Sequence, residues 1–371
     1  MKHLFSNKPI LIISLFYFFI SFSFLLKFGI NTDGEASKFI DAANSILNGK
    51  PLAHHIFSYF YYSYSLIVAF FLKLSLGYHW VAVFQIFLSY LSALMLYDLV
   101  LKKYKNTFLG IAALFIYLFC YPIQRWVFFL YSEGVHTSVV VIGLCFFVKF
   151  LENKSWKSFM AFLFVVFFIL TTRPVGIIFM FACLVTFVFY LFNNGFKKQA
   201  NIVVLVSLVS FIILLNSPYR YFINPDSLRR MEIICQVPAE GKNLPYQEYN
   251  KSGLIAAFYV VKNEIGFYNF FRNGTLKLVY FFGLIRPYFS LKNNLFLSVY
   301  LLLYPLCLIG LYKSRKRKFS IINVFVYTYL ITTAFGIFVT CADWSNRFIA
   351  PVFPFIILLA IEGIFILKNK I

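Results

Sequence analysis

Eleven apolar runs, about 9–28, 56–76, 80–101, 107–121, 134–151, 158–172, 174–192, 201–215, 293–312, 320–340 and 348–367, interrupt this chain of 371 residues. A bilayer hydrocarbon core about 30 Å thick is crossed by about 20 helical residues, so each run is near the length of one crossing. The composition agrees: 61% of residues are hydrophobic and 13% charged, with a mean hydropathy of +0.80. Soluble domains carry about 45–50% apolar and about 25% charged residues. A water-soluble globule would lack the charge to cover its surface, and a disordered chain would not carry this much apolar side chain. The expected class is an all-α polytopic membrane protein forming one integral-membrane domain over residues 1–371.

The net charge of +21 would suggest nucleic acid in a soluble protein. Here the basic residues cluster beside apolar segments, where they orient the chain and meet anionic lipid, so no nucleic-acid partner is expected. Basic residues in short loops favour the cytoplasmic side. If the N-terminus is inside and 56–76 does not cross, seventeen Lys and Arg fall in short inner segments, including KSRKRK at 313–318. Only Arg125, Arg173 and Arg347 fall in short outer turns. A crossing at 56–76 would reverse that bias. The reading is therefore about ten transmembrane helices with both termini cytoplasmic, in what is expected to be a bacterial plasma (inner) membrane. Two long extracytoplasmic loops result, about 29–79 and 216–292, with juxtamembrane helices in them. The Tyr-rich 56–76 segment is interfacial or re-entrant.

This topology places ten of the thirteen carboxylates outside. Ionisable groups beside a bilayer are costly and become functional candidates: Asp33, Glu35, Arg125, Glu133, Arg173, Asp343 and Arg347. Thr32 followed by Glu35 predicts a capping box opening an amphipathic helix, with Phe39, Ile40, Ala43, Ile46 and Leu47 on one face and Gly49 and Pro51 closing it. The competing reading makes Asp33 a general base and Glu35 a group that steers an acceptor or a cation. Arg173 lies in Thr171-Thr172-Arg173-Pro174-Val175-Gly176, a sequence suited either to snorkelling or to holding a phosphate bidentately. The same choice applies to Arg286 in Ile285-Arg286-Pro287-Tyr288 and to Asp343 and Arg347 in DWSNRF. His55, beside His54, could serve as a base or an anchor, but no third ligand at metal spacing accompanies it. Six cysteines show no CxxC pair; Cys235 and Cys341 could pair if both lie on an oxidising face. No P-loop, GxGxxG, HExxH or GxSxG is present.

The stretch TDGEASKFIDAANSILNGKPL resembles the acidic first-loop motif and juxtamembrane helix of GT-C superfamily membrane glycosyltransferases, of the protein O-mannosyltransferase and lipid A aminoarabinose transferase type. TTRPVG is similar to an Arg-Pro-x-Gly element of several members, and DWSNRFIAPVFP to their late helix start. Asp-Gly-Glu stands where relatives often carry paired aspartates. The resemblance implies a GT-C-like fold and inverting transfer of a sugar from a polyprenyl-phosphate donor on the extracytoplasmic face. The acceptor would be a lipid-linked glycan, a cell-envelope polymer or a protein. It implies Asp33 as base, with Glu35 beside it, and Arg173, Arg286 and Arg347 on the donor phosphate. Asp343, His55, Glu133 and Arg125 would line the substrate site. No cofactor is expected to be required, although Asp33 and Glu35 are hard ligands able to share Mg²⁺ or Mn²⁺. An O-antigen-type polymerase and a lipid-linked sugar flippase are the alternative functions.

Overall fold

The computed structural model describes residues 8–51, 56–215, 228–235, 237, 254–314, 320–343 and 345–368. Among these residues the regular elements are all helical, and the chain otherwise pairs through isolated bridges. In chain order the helices are α1 (Lys8–Phe28), α2 (Ala36–Leu47), α3 (Tyr62–Lys73), α4 (Tyr78–Tyr104), α5 (Thr107–Leu118) and α6 (Tyr121–Gln124). They continue with α7 (Ser132–Asn153), α8 (Trp156–Thr172), α9 (Gly176–Asn193), α10 (Lys197–Leu215) and α11 (Leu254–Val260). The last five are α12 (Phe267–Gly283), α13 (Leu291–Ser298), α14 (Leu303–Ser314), α15 (Ile321–Val339) and α16 (Phe353–Lys368).

By length and composition six helical segments can cross a membrane: α1, α4, α7, α9, the run Leu291–Tyr312 through α13 and α14, and α15. A seventh candidate is the pair α5 and Tyr121–Phe128, bent by 49° where Cys120 and Pro122 interrupt the helix. This is a helical polytopic membrane protein. The expected crossings at 158–172, 201–215 and 348–367 coincide with α8, α10 and α16, of 17, 19 and 16 residues. The run at 56–76 forms a 3₁₀ turn, Ile56–Tyr61, leading into the twelve residues of α3. At 1.5 Å per residue α3 is ~18 Å long, short of a bilayer core.

The chain forms two compact units: residues 1–180, 302–319 and 350–371 in the first, and 181–301 and 320–349 in the second. In the first, α7 is buried on every side through its N-terminal half, from Ser132 to Leu144. It packs against α4 and α8, while α3 lies against α2, α4 and α8. α16 is also buried all round from Phe353 to Gly363. It crosses α14 so closely that a Cβ on Gly310 would strike the Leu359 carbonyl, and one on Gly363 the Leu306 carbonyl. The C-terminal end of α4 is tied to α16 by Lys103 and Tyr104, both donating to Glu362 Oε2, at 2.8 and 3.2 Å. In the second unit α12 packs on α15. Its buried face carries the polar Asn273 and Lys277 beside Gly274 and Phe281, whereas Phe267, Tyr268, Phe271 and Val279 are exposed. Exposed large apolar side chains on that face suit a helix that meets lipid.

Candidate functional site

The acidic first loop is built onto the segment before α7. Asn31 bridges to Phe129: the Asn31 N–H donates to the Phe128 carbonyl at 2.8 Å, and the Leu130 N–H to the Asn31 carbonyl at 2.9 Å. The Tyr131 hydroxyl then donates to the Asp33 carbonyl at 2.9 Å and accepts from the Glu35 N–H at 3.2 Å. Gly34 sits between them at φ +65°, and a Cβ there would lie 2.7 Å from that hydroxyl. The backbone around Asp33 is therefore fixed at residues 31, 33 and 35, while its carboxylate stays exposed. That carboxylate accepts from Asn31 Nδ2 at 3.2 Å.

The expected capping box does not form. Glu35, not Thr32, occupies the N-cap position of α2, and no side chain caps the helix there. The left-handed turn at Gly34 breaks the helical path, leaving Thr32 three residues upstream of the cap. Glu35 instead pairs with Lys38 at 2.5 Å. The Lys38 ammonium also lies over the Phe39 and Tyr61 rings, at 4.9 and 4.6 Å. Of the expected apolar face Phe39 and Ala43 are buried and Ile40 and Ile46 half-buried, but Leu47 in the last turn is exposed, and the chain leaves through Gly49 at φ +62°.

Arg173 and Glu133 are brought together. Arg173 ends α8 in an extended conformation, and the chain turns at once into α9, with the Gly176 N–H donating to the Arg173 carbonyl. The guanidinium reaches Glu133 on the first turn of α7 at 2.6 Å. Both are buried, so Arg173 is held inside rather than presented at the surface. Ser63 at the start of α3 meets Thr171 at 2.6 Å beside it. Arg125, half-buried, stacks over Trp126, Phe129 and Tyr121 at 5.0, 5.5 and 5.9 Å. Sequence reasoning missed His136 and Tyr64, both fully buried in this unit. The signal for His136 was its place three residues after Glu133, one turn along the same helix. α1 and α4 also border a groove of about 320 Å³ lined by Phe22, Leu25, Leu26, Trp80 and Val83, with His79 among them.

The second unit holds the other predicted group. Asp343 Oδ1 accepts from Arg347 Nε at 2.6 Å, and its Oδ2 from the backbone N–H groups of Ser345 and Arg347 at 2.8 and 3.1 Å. Asp343 thus organises its own turn, and Arg347 keeps 18% of its side chain exposed. Arg286 is buried and donates to the Tyr280 carbonyl, and Asn294 clasps its backbone from both sides. The Asn346 side chain donates to the Leu284 carbonyl at 2.5 Å, joining the Arg286 and Arg347 segments. Cys235 and Cys341 form a disulfide that fastens 233–235 to 341–342, alongside backbone bonds of 2.8 and 2.9 Å.

Among the described residues no three His, Cys, Asp or Glu side chains are grouped for a metal ion. His55 lies outside the described residues. The chain matches no family model, no curated protein and no solved structure.

Proposed function

We propose that this chain is a GT-C-type membrane glycosyltransferase with about ten crossings, acting on the extracytoplasmic face with a polyprenyl-phosphate sugar as donor. The observation that carries the reading is Asp33: an exposed carboxylate on backbone held by Asn31, Gly34 and Tyr131. A general base must be accessible yet pre-positioned, because a misplaced proton acceptor forfeits most of its effect. In a single inverting displacement Asp33 takes the proton of the acceptor hydroxyl. The acceptor oxygen then bonds to the anomeric carbon from the face opposite the phosphate, and the bond from that carbon to the phosphate oxygen breaks. Polyprenyl phosphate leaves with the electron pair. Its charge requires cationic partners. The apolar groove between α1 and α4 adds a surface fit for a lipid tail.

The test is Asp33→Asn in purified protein, assayed with polyprenyl-phosphate sugars. The amide still accepts the Asn31 hydrogen bond but takes no proton at neutral pH. Transfer is expected to fall at least ~100-fold with the melting temperature unchanged. Near-normal turnover would remove the assignment.

A further inference from the structure

The loop that carries Asp33 leans on residues 128–131, which lie between the 3₁₀ turn Arg125–Phe128 and the start of α7. The chain is extended there, at Phe129 and Tyr131, but no sheet fixes it. Extended backbone outside a sheet must find partners for its carbonyls elsewhere. The Phe128 carbonyl takes the Asn31 N–H at 2.8 Å. The carbonyls on either side of it, of Val127 and Phe129, both accept from one group, Gln85 Nε2 on α4, at 3.2 and 3.1 Å. Asn31 and Gln85 thus share out three consecutive carbonyls of one segment. One turn further along α4, Ser89 Oγ accepts from Gln124 Nε2 at 3.0 Å, which ties the residue just before the 3₁₀ turn to the same helix.

Gln85 is fully buried in an otherwise apolar stretch of α4, where Val81, Ala82 and Ile86 are buried too. A polar side chain in such a place is unfavourable unless its hydrogen bonds are made. The amide spends both Nε2 hydrogens on the 127–129 backbone, whereas Oε1 has no hydrogen-bond partner among the described residues. Oε1 lies against the first turn of α7: a Cβ on Gly134 would stand 3.2 Å from it and 2.9 Å from the Trp126 carbonyl. The close approach of α7 at Gly134 therefore packs the amide from the other side. We propose that Gln85 is a positioning residue for Asp33. By holding the Val127 and Phe129 carbonyls it fixes the edge on which Asn31 docks, and with it the place of the Asp33 carboxylate. Gln85 acts through this backbone and takes no part in proton transfer. The proposal rests on the glycosyltransferase reading for the role of Asp33 and deepens it by naming what aims the base.

The test is a double-variant cycle on the full chain in lipid nanodiscs, joined to hydrogen exchange, which needs no turnover. Gln85→Met keeps the length and bulk of the side chain but has no N–H. In this variant the Asn31 and Leu130 amides are expected to exchange about tenfold faster, the worth of one good hydrogen bond, while amides of α16 keep the parental rates. With polyprenyl-phosphate hexoses kcat should fall by ~10- to 100-fold at unchanged KM for the donor, because a misaimed base loses rate without losing binding. In the Asp33→Asn background Gln85→Met should cost nothing more, since nothing is left to aim. A purely structural amide would lower kcat by the same factor in both backgrounds, or lower only the melting temperature; either result overturns the proposal, as does unchanged exchange at Asn31 and Leu130. Ser92→Ala removes a different buried hydrogen bond of α4, to Tyr117, and is the control. Equal acceleration at Asn31 and Leu130 in that variant would also overturn the assignment. If Gln85→Met fails to fold, Gln85→Asn takes its place, an amide one methylene too short to reach both carbonyls. Full activity of Asp33→Asn would discard Asp33 as the base, and the exchange rates would still decide whether Gln85 holds the loop.

Discussion

Glu133 and Arg173 meet at 2.6 Å inside the first unit with 3% and 6% of their side chains exposed. In water such a pair contributes little, but buried it behaves differently, because removing one partner strands the other's charge. Glu133→Gln and Arg173→Gln should each destabilise by about 3–5 kcal/mol. The double variant should lose far less than the sum, since it buries no charge. Arg173→Lys keeps the charge and should be the mildest change. Thermal unfolding in detergent of all four variants checks this. Additive losses would show that the two residues act independently.

Gly34 gives a sharper test of the loop. At φ +65° with Tyr131 Oη 2.7 Å from a Cβ, Gly34→Ala must both strain the backbone by ~1–2 kcal/mol and push the hydroxyl aside. Tyr131→Phe removes the hydrogen bonds to residues 33 and 35 without strain. If their purpose is to aim Asp33, both variants should lose transfer severalfold while melting within a few degrees of the parent. A Tyr131→Phe variant with full activity would show that the bonds to residues 33 and 35 merely close the turn.

Much of this was legible from local pattern. Most of the apolar runs became helices near their expected ends, and α2, ending at Leu47, leaves through Gly49, because helix periodicity and termination are written within a few residues. The start of α2 was misread for an instructive reason: Thr32 and Glu35 have capping-box spacing, but Gly34 between them takes a left-handed turn that only the Tyr131 contact, almost a hundred residues away, makes necessary. The Glu133–Arg173 pair spans forty residues, and nothing in either local sequence specifies the other. Both were flagged as outer charges, but their mutual neutralisation depends on how α7 and α8 pack. Tyr64 was read as a headgroup-level aromatic, because a tyrosine-rich segment looks the same whether its rings face lipid or protein.

The disulfide is the longest-range covalent feature, joining cysteines 106 residues apart. Closing a loop of that size stabilises by about 4–5 kcal/mol in the chain-entropy account. The remaining four cysteines are thiols. Denatured, unreduced protein should therefore take up four alkylating groups, and reduced protein six. Cys235→Ser with Cys341→Ser should lower the melting temperature clearly, and reductant should no longer affect that variant. Six groups taken up without reduction would show the pair is not formed.

Lys277 offers a pH-dependent check on the second unit. It is 1% exposed, and its ammonium donates to the Thr340 carbonyl at 2.5 Å. Burial lowers its pKa to about 8, although Glu232 pulls the other way. Unfolded, the same amine titrates near 10.4. Below about pH 8 both states hold the proton, so the full cost of burying the charge is present. Between about pH 8 and 10 the folded state sheds the proton while the unfolded state keeps it, and that cost fades as pH rises. Lys277→Met keeps the bulk of the side chain and has no such titration. The parent should therefore gain on this variant by up to ~3 kcal/mol as pH is raised from 7.5 to 10, read as the difference between their unfolding curves. Curves that stay parallel over that range would show that Lys277 is not titrating in the interior and that its ammonium reaches water.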